Sequence, residues 1–183
     1  MSKKRFMDGR ENRIAPVRSF SSFLKIVLIG AMAMIGIIAV ALNFVSVVPT
    51  LRIGDGAGKI VAVIPLPDGR FIHHYMHTIN LSPVDEYFRV EGRVLRLYEL
   101  RYDTTSVGMP SDSELGYKLE NGRFILQMDR KFDRIPLRVS IKPEHGIIAG
   151  DAYYPFSNWA GPMKPLVLTG GKTVIIKSKE AKP

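Results

Sequence analysis

The chain has 183 residues, of which 46% are hydrophobic and 23% are charged, and it contains no cysteine. This apolar content excludes a disordered polyelectrolyte, because the chain can bury enough surface to offset the entropy lost on ordering. The lack of cysteine excludes disulfides, thiol nucleophiles, thiolate metal sites and lipidated cysteines. A formal net charge of +9 raises the question of an anionic partner, either nucleic acid or a membrane surface.

The first element along the chain is a basic segment, residues 1–25, and an apolar run without a charged residue follows it from Ile26 to Val48. As a helix, this run would be about 34 Å long, enough to cross a hydrocarbon core of about 30 Å. A core helix of a soluble domain would show a polar stripe, and this run shows none. We therefore predict one transmembrane helix over residues 26–48.

The charges on either side of this run predict its orientation. Residues 1–25 carry seven Lys or Arg, whereas residues 49–68 carry two. The positive-inside rule then places the N-terminus in the cytoplasm and the C-terminal part outside the cytoplasmic (inner) membrane. A cleaved signal peptide is the competing interpretation, since Ala39 and Ala41 resemble the small residues of a cleavage site.

The remaining positive charge is spread thinly along the chain. Residues 49–183 carry 19 Lys or Arg and 15 Asp or Glu, and only the tail, residues 177–183, is rich in lysine. A nucleic-acid-binding domain needs a concentrated basic patch and a location beside nucleic acid. Because this domain is expected outside the cytoplasm, we predict no nucleic-acid partner.

Residues 52–176 have the pattern of an exported all-β domain, a sandwich-like or barrel-like antiparallel fold of roughly eight strands. No window after Leu51 keeps a helical stripe, so no long helix is expected there. Strict alternation from Ile135 to Lys142 predicts a strand with one buried face. Three turn signals predict hairpins between apolar stretches: Glu91-Gly92, Asn121-Gly122 and Gly170-Gly171.

Three of the four histidines lie close together in sequence, within residues 71–86. On a strand, His73, Tyr75 and His77 share one face, and His74 points to the other. Two histidines on one face, together with a carboxylate from Asp85 or Glu86, could form a zinc or iron site. Positions i and i+4 on a strand are however about 13 Å apart, which favours structural or hydrogen-bonding histidines. We therefore predict neither a metal ion nor a cofactor.

Catalytic motifs are not evident in the sequence. Ser82, His77 and Asp85 are close along the chain, but no Gly-x-Ser-x-Gly elbow surrounds the serine. Glycine-rich phosphate-binding loops are also missing. We expect a protein that is not an enzyme, and an envelope hydrolase using these three residues is the alternative.

One stretch of the chain resembles a known family. The pattern aromatic-x-x-x-Tyr-x-His-Ser-x-x-x-Thr-Pro-Val-x-Glu of the bacterial DUF1850 family, a domain of unknown function, is similar to residues 71–86, where Thr78 and Ser82 exchange one hydroxyl residue for another. Its Gly-Ala-Gly-Leu-Pro element resembles residues 106–110, with Ser106 in place of the first glycine. Its Leu-Pro-Leu-Ser ending resembles residues 154–157. The likeness extends from about residue 59 to residue 168 and points to these candidate site residues: Tyr75, His77, Thr78, Pro83, Glu86, Gly108 and Pro110.

The resemblance implies a small all-β module without an established reaction, often encoded beside TRAP transporter genes of the TAXI type. It suggests a pair between His77 and Glu86 on neighbouring strands, with Pro83 fixing the turn between them. The function expected is that of a periplasmic, membrane-anchored accessory protein that contacts a TRAP transporter permease or its solute-binding protein. The alternative is a small-ligand or metal-binding envelope domain that uses His73, His77 and Glu86.

Overall fold

The computed structural model describes residues 20–103 and 115–176, and the chain divides into two compact units between Phe44 and Val45. The first unit contains the helix α1 (Phe20–Asn43). Within it, Ser21–Val40 is long and apolar enough to cross a membrane, and a signal sequence near an N-terminus has the same properties. Most of the predicted basic segment, residues 1–19, lies outside the described residues, as does the predicted tail, residues 177–183.

The apolar run of the sequence extends beyond the helix. Helix α1 begins at Phe20 and ends at Asn43, whereas residues 45–48 form the start of strand β1 (Val45–Asp55). There Val45 pairs with Ile176. The predicted span of residues 26–48 therefore differs from the helix at both ends. Valine is apolar enough for a membrane span and β-branched enough for a strand, so hydropathy alone cannot separate the two.

The second unit contains, within the described residues, eleven strands and one short 3₁₀ turn, Phe156–Asn158. After β1, the strands in chain order are β2 (Ile60–Pro65), β3 (Arg70–Met76), β4 (Pro83–Glu91), β5 (Val94–Tyr102), β6 (Tyr117–Glu120), β7 (Arg123–Phe132), β8 (Ile135–Arg138), β9 (Gly146–Ala149), β10 (Ala152–Pro155) and β11 (Pro165–Ile176).

These strands form two antiparallel sheets, which confirms the predicted all-β class. The smaller sheet has the order β2-β1-β11-β8, and the larger one has the order β10-β9-β3-β4-β5-β7-β6. One hydrophobic core draws side chains from both sheets, among them Leu51 and Leu168 from the smaller and Phe88 and Leu126 from the larger. The domain is therefore a sandwich in which each sheet buries one face against the other.

Two of the three predicted hairpins are confirmed and the third is wrong. Gly92 lies in the turn between β4 and β5, and Asn121-Gly122 joins β6 to β7. Gly170 and Gly171, by contrast, lie inside the continuous strand β11, and neither has a positive φ. Their role is to leave space, because a Cβ on Gly170 would lie 2.9 Å from the carbonyl oxygen of Arg93.

The strand predicted from Ile135 to Lys142 is shorter than expected. Strand β8 ends at Arg138, although Val139 is buried and still exchanges backbone hydrogen bonds with residues 163 and 164. Ile141 is 68% exposed and therefore does not join the core. The chain leaves the sheet after β8 and forms one wall of a cleft.

Candidate functional site

A cleft of about 530 Å³ lies where β3 of the larger sheet meets β8 of the smaller sheet. We call it the β3–β8 cleft. Its apolar lining consists of Met76, Ile135, Pro136, Leu137, Val139, Ile141 and Met163. Its polar lining consists of His73, Tyr75, His77, Thr78, Glu86, Arg138, Ser140 and His145. The lining is thus mixed: most of the apolar side chains come from residues 135–141, the apolar wall, and most of the polar ones come from residues 73–86, the polar wall.

The polar wall is organised by a pair between two neighbouring strands. His73 on β3 lies directly opposite Glu86 on β4 in the sheet register. Nδ1 of His73 is 2.8 Å from Oε2 of Glu86. The His73 side chain is 9% exposed and that of Glu86 is 24% exposed. The sheet therefore holds a carboxylate and an imidazole together at the edge of the core.

His145 continues this pair into a hydrogen-bonded chain. Its Nε2 is 3.0 Å from Nε2 of His73, and its Nδ1 accepts a hydrogen bond from the backbone N–H of Ser140 at 2.8 Å. An Nδ1 that accepts carries no proton, so His145 is neutral with its proton on Nε2. His145 then donates to Nε2 of His73, and His73 must carry its own proton on Nδ1 and donate it to Glu86. One backbone amide thus fixes the tautomers of both rings.

The surroundings keep the side chains of His145 and Tyr75 uncharged. Burial, together with the positive charge that His73 and His74 can carry, lowers the pKa of His145 to about 4. Burial and the nearby Glu86 carboxylate raise the pKa of the Tyr75 phenol far above its usual value. At neutral pH the cleft therefore presents a neutral imidazole, a phenol that keeps its proton and the Glu86 carboxylate.

The opposite face of the same two strands carries a separate charged network. Asp85 accepts hydrogen bonds from Nδ1 of His74 at 2.6 Å and from a guanidinium nitrogen of Arg123 at 3.0 Å. Burial alone would raise the pKa of Asp85, but these two partners outweigh burial and lower it. The hydrogen bond to Asp85 raises the pKa of His74 despite its burial. His74 and Asp85 thus form an ion pair outside the cleft.

The structure brings four of the seven candidate residues to the cleft: Tyr75, His77, Thr78 and Glu86. Pro83 is the first residue of β4, and Gly108 and Pro110 lie outside the described residues. The expected pair between His77 and Glu86 is not formed. His77 follows the end of β3, where its Nδ1 accepts from the backbone N–H of Asn80, and the register puts His73 opposite Glu86 instead.

The proposed metal ligands do not converge either. Both ring nitrogens of His73 already have partners, Glu86 and His145. Within the parts of the chain that the structure describes, no group of three or more His, Asp or Glu side chains is arranged to hold a metal ion. The alternative catalytic set is also separated, because Asp85 contacts His74 and Arg123 on the face opposite the cleft, which His77 lines.

Residues 71–156 match the model of a known family, the domain of unknown function DUF1850. We call these matched residues the DUF1850 segment. The comparisons with curated proteins and with solved structures gave no match. The DUF1850 segment contains nearly the whole larger sheet and β8. Every residue that lines the cleft, except Met163, lies inside it.

Sequence reasoning missed one DUF1850 residue that completes the site, His145. It is the fourth histidine and lies 72 positions after His73. Strand β9, which begins next to it at Gly146, pairs with β3 and brings it beside His73. Gly146 is required at this point, because a Cβ there would collide with the carbonyl oxygen of Tyr154. No local sequence pattern predicts a contact that depends on the order of strands in the sheet.

Proposed function

We propose that this chain is a membrane-anchored, periplasmic, non-enzymatic protein whose DUF1850 domain binds a small amphipathic ligand in the β3–β8 cleft. The ligand has an apolar body and a head group that donates hydrogen bonds, either an ammonium or a hydroxyl group. The observation that carries this proposal is the Glu86 carboxylate, the one acidic side chain in the lining of the cleft, where the only Arg or Lys of the lining, Arg138, donates to the carbonyl oxygen of Met163.

The size and the lining of the cleft support ligand binding. Small-molecule sites are typically concave, about 300–1,000 Å³ in volume and mostly apolar, with a few convergent polar groups. The β3–β8 cleft has about 530 Å³ and an apolar lining that includes Ile135, Leu137 and Met163. The exposed side chains of Ile141 and Met163 extend this apolar surface to the rim.

The polar wall of the cleft supports a ligand whose head group donates hydrogen bonds. Among the described residues, only Oε2 of Glu86 is hydrogen-bonded, which leaves Oε1 as an acceptor. A carboxylate in a partly desolvated cleft attracts a cation and repels an anion. The phenol of Tyr75 has no hydrogen-bond partner within the described residues and can complete the contact with the same head group.

The hydrogen bonds that link Glu86, His73 and His145 support a binding role without catalysis. A general base needs a free ring nitrogen directed at a substrate. The four ring nitrogens of His73 and His145 are all occupied, by Glu86, by each other and by the Ser140 amide. The hydroxyl of Ser140 itself accepts a hydrogen bond from the backbone of Lys142. These groups serve to hold Glu86 in position.

Methyl NMR of the full chain in detergent micelles tests ligand binding with two probes of equal length, hexylamine and hexanoate. We expect hexylamine to shift the methyl signals of Met76 and Met163, which line the cleft, and to leave the core residue Met128 unchanged. Hexanoate should shift them less. The absence of any shift at Met76 and Met163 would contradict the proposal.

A pair of variants isolates the role of the carboxylate. Glu86→Gln should abolish the preference for hexylamine over hexanoate, because it removes the charge and keeps the shape. Glu120→Gln, on the exposed strand β6, makes the same change at a residue that does not line the cleft and should keep the preference. A preference that survives in Glu86→Gln would show that another group selects the head group.

The anchor and the partner form the second part of the proposal. The apolar helix and the basic residues before it support a single span with a cytoplasmic N-terminus. The resemblance to a family encoded beside TAXI-type genes supports a TRAP transporter permease or its solute-binding protein as the partner. Purification of the full chain from membranes in mild detergent should recover one of these components, and N-terminal sequencing should show an uncleaved helix. If neither the permease nor the solute-binding protein is recovered, the proposal of a TRAP transporter partner is contradicted.

A further inference from the structure

A second pocket, of about 310 Å³, lies on the domain at the turn between β4 and β5. It is lined by Arg52 on β1, Gly92 and Arg93 in the turn, and Gly170, Gly171 and Lys172 on β11. Three of these six residues are cations and none is acidic. The pocket is distinct from the β3–β8 cleft, with which it shares no lining residue.

The two glycines explain how the pocket is built. A Cβ on Gly171 would lie 2.7 Å from Nε and 2.9 Å from Cζ of Arg52, so the Arg52 guanidinium lies directly against the strand backbone. A guanidinium nitrogen of Arg52 also donates to the carbonyl oxygen of Lys172 at 3.2 Å. A long flexible side chain is thus held against the strand, and its remaining N–H groups, which have no partner among the residues that the structure describes, can bind a ligand.

The positive charge of the pocket is not compensated by any carboxylate in the described part of the chain. Among the described residues, no carboxylate forms a salt bridge with Arg52, Arg93 or Lys172. Arg96 and Arg123, elsewhere on the larger sheet, each contact two carboxylates. Three cations around one pocket repel each other unless an anion lies between them.

From this arrangement we infer that the pocket of Arg52, Arg93 and Lys172 is an oxyanion site for a phosphate group. Arginine presents a planar fork of donors that matches a phosphate, and lysine adds a compact charge. The phosphate belongs either to a free anion or to the head group of an anionic lipid. The site does not depend on the proposed cleft ligand, and four of its six residues lie outside the DUF1850 segment.

NMR of the arginine Nε–H groups of the full chain in nanodiscs separates the two sources. In nanodiscs of phosphatidylcholine, inorganic phosphate should shift the Arg52 signal if the ligand is a free anion. In nanodiscs that also contain phosphatidylglycerol, the Arg52 signal should shift without added phosphate if the ligand is a lipid head group. Either shift supports the site, and the absence of both overturns it.

Variants distinguish a built site from general positive charge. Arg52→Gln should weaken the affinity for whichever probe binds, phosphate or phosphatidylglycerol, about tenfold, the loss expected for one charge-assisted hydrogen bond. In this series the affinity is read from the Nε–H signal of Arg93, which lines the same pocket. Gly171→Ala keeps all three charges but displaces the guanidinium and should also weaken binding. Arg130→Gln removes an exposed charge on β7, outside the pocket lining, and should change the affinity less than twofold. Equal losses in Arg52→Gln and Arg130→Gln would overturn the inference.

Discussion

His73 and His145 meet through their Nε2 atoms at 3.0 Å, although 72 positions separate them in the chain. Two imidazoles in this arrangement cannot both be protonated at the shared contact, because one nitrogen must accept. The direction of the hydrogen bond is set from outside the pair, by the backbone N–H of Ser140. The geometry therefore specifies where each proton resides, and this can be measured.

The tautomers of the two rings are the first testable consequence. Long-range ¹⁵N NMR spectra at neutral pH should show His145 with its proton on Nε2 and His73 with its proton on Nδ1. In the Glu86→Gln variant the His73 ring should keep its proton on Nδ1, because its Nε2 still accepts from His145 and the amide oxygen of glutamine can accept from Nδ1. A proton on Nδ1 of His145 would contradict the arrangement, since the Ser140 amide already donates there.

The stability of the domain should fall on acidification because of His145. Its pKa is about 4 in the folded chain and 6.5 ordinarily, so the unfolded chain takes up a proton first as the pH falls. The free energy of unfolding therefore decreases between pH 6.5 and about pH 4. Urea denaturation at several pH values should show a smaller decrease in His145→Asn than in the parent protein.

His74 provides a control of opposite sign for that experiment. Its pKa is raised in the folded chain, so its stabilising contribution is complete below 6.5 and is lost as the pH rises through the folded value. His74→Asn should therefore remove the loss of stability that this group causes as the pH rises above 6.5, whereas the effect of His145→Asn lies below 6.5. Equal pH profiles for the two variants would show that neither histidine carries the expected linkage.

The ion pair on the outer face can be tested through the pKa of His74. Asp85→Asn should lower this pKa towards its ordinary value, because the 2.6 Å hydrogen bond to Asp85 is the main cause of the shift. Glu144→Gln removes a more exposed carboxylate 3.9 Å from the other ring nitrogen and should have a smaller effect. NMR titration of the imidazole protons measures both. A larger change in Glu144→Gln would contradict the assignment.

The glycine pair in β11 should tolerate alanine unequally. A Cβ on Gly170 meets the backbone of Arg93, which cannot move without shifting the turn, so Gly170→Ala should cost about 1–3 kcal/mol of unfolding free energy. A Cβ on Gly171 meets the flexible side chain of Arg52, so Gly171→Ala should cost less. Gly161→Ala, where nothing lies within 4 Å, serves as the control in thermal or urea denaturation.

These glycines also show how far the sequence predicts the fold. Asn121 and Gly122 have φ values of 50° and 80°, so the turn chemistry of the pair is what the backbone requires. Gly170 and Gly171 have the same local appearance but serve packing, which depends on the distant Arg93 for Gly170 and on Arg52 for Gly171. Local sequence therefore predicts a turn correctly where glycine is needed for a positive φ. The prediction fails where glycine is needed because a side chain would collide with a neighbouring group.

The candidate site shows the same division between local and distant information. Alternation along β3 correctly separates His73 from His74, which contact Glu86 and Asp85 on opposite faces. The partner of Glu86 depends on the register between two strands, and the loop of residues 77–82 sets that register. The contribution of His145 depends on β9 lying beside β3, which only the folded sheet determines.

The pairing of β1 with β11 has a consequence for biosynthesis. These strands pair along their whole length, from Val45 opposite Ile176 to Asp55 opposite Leu166. During synthesis, β1 is made early and has only β2 to pair with until more than a hundred further residues have emerged. Such long-range pairing slows folding and leaves an open strand edge for a chaperone, or for a second nascent chain, to occupy in the meantime.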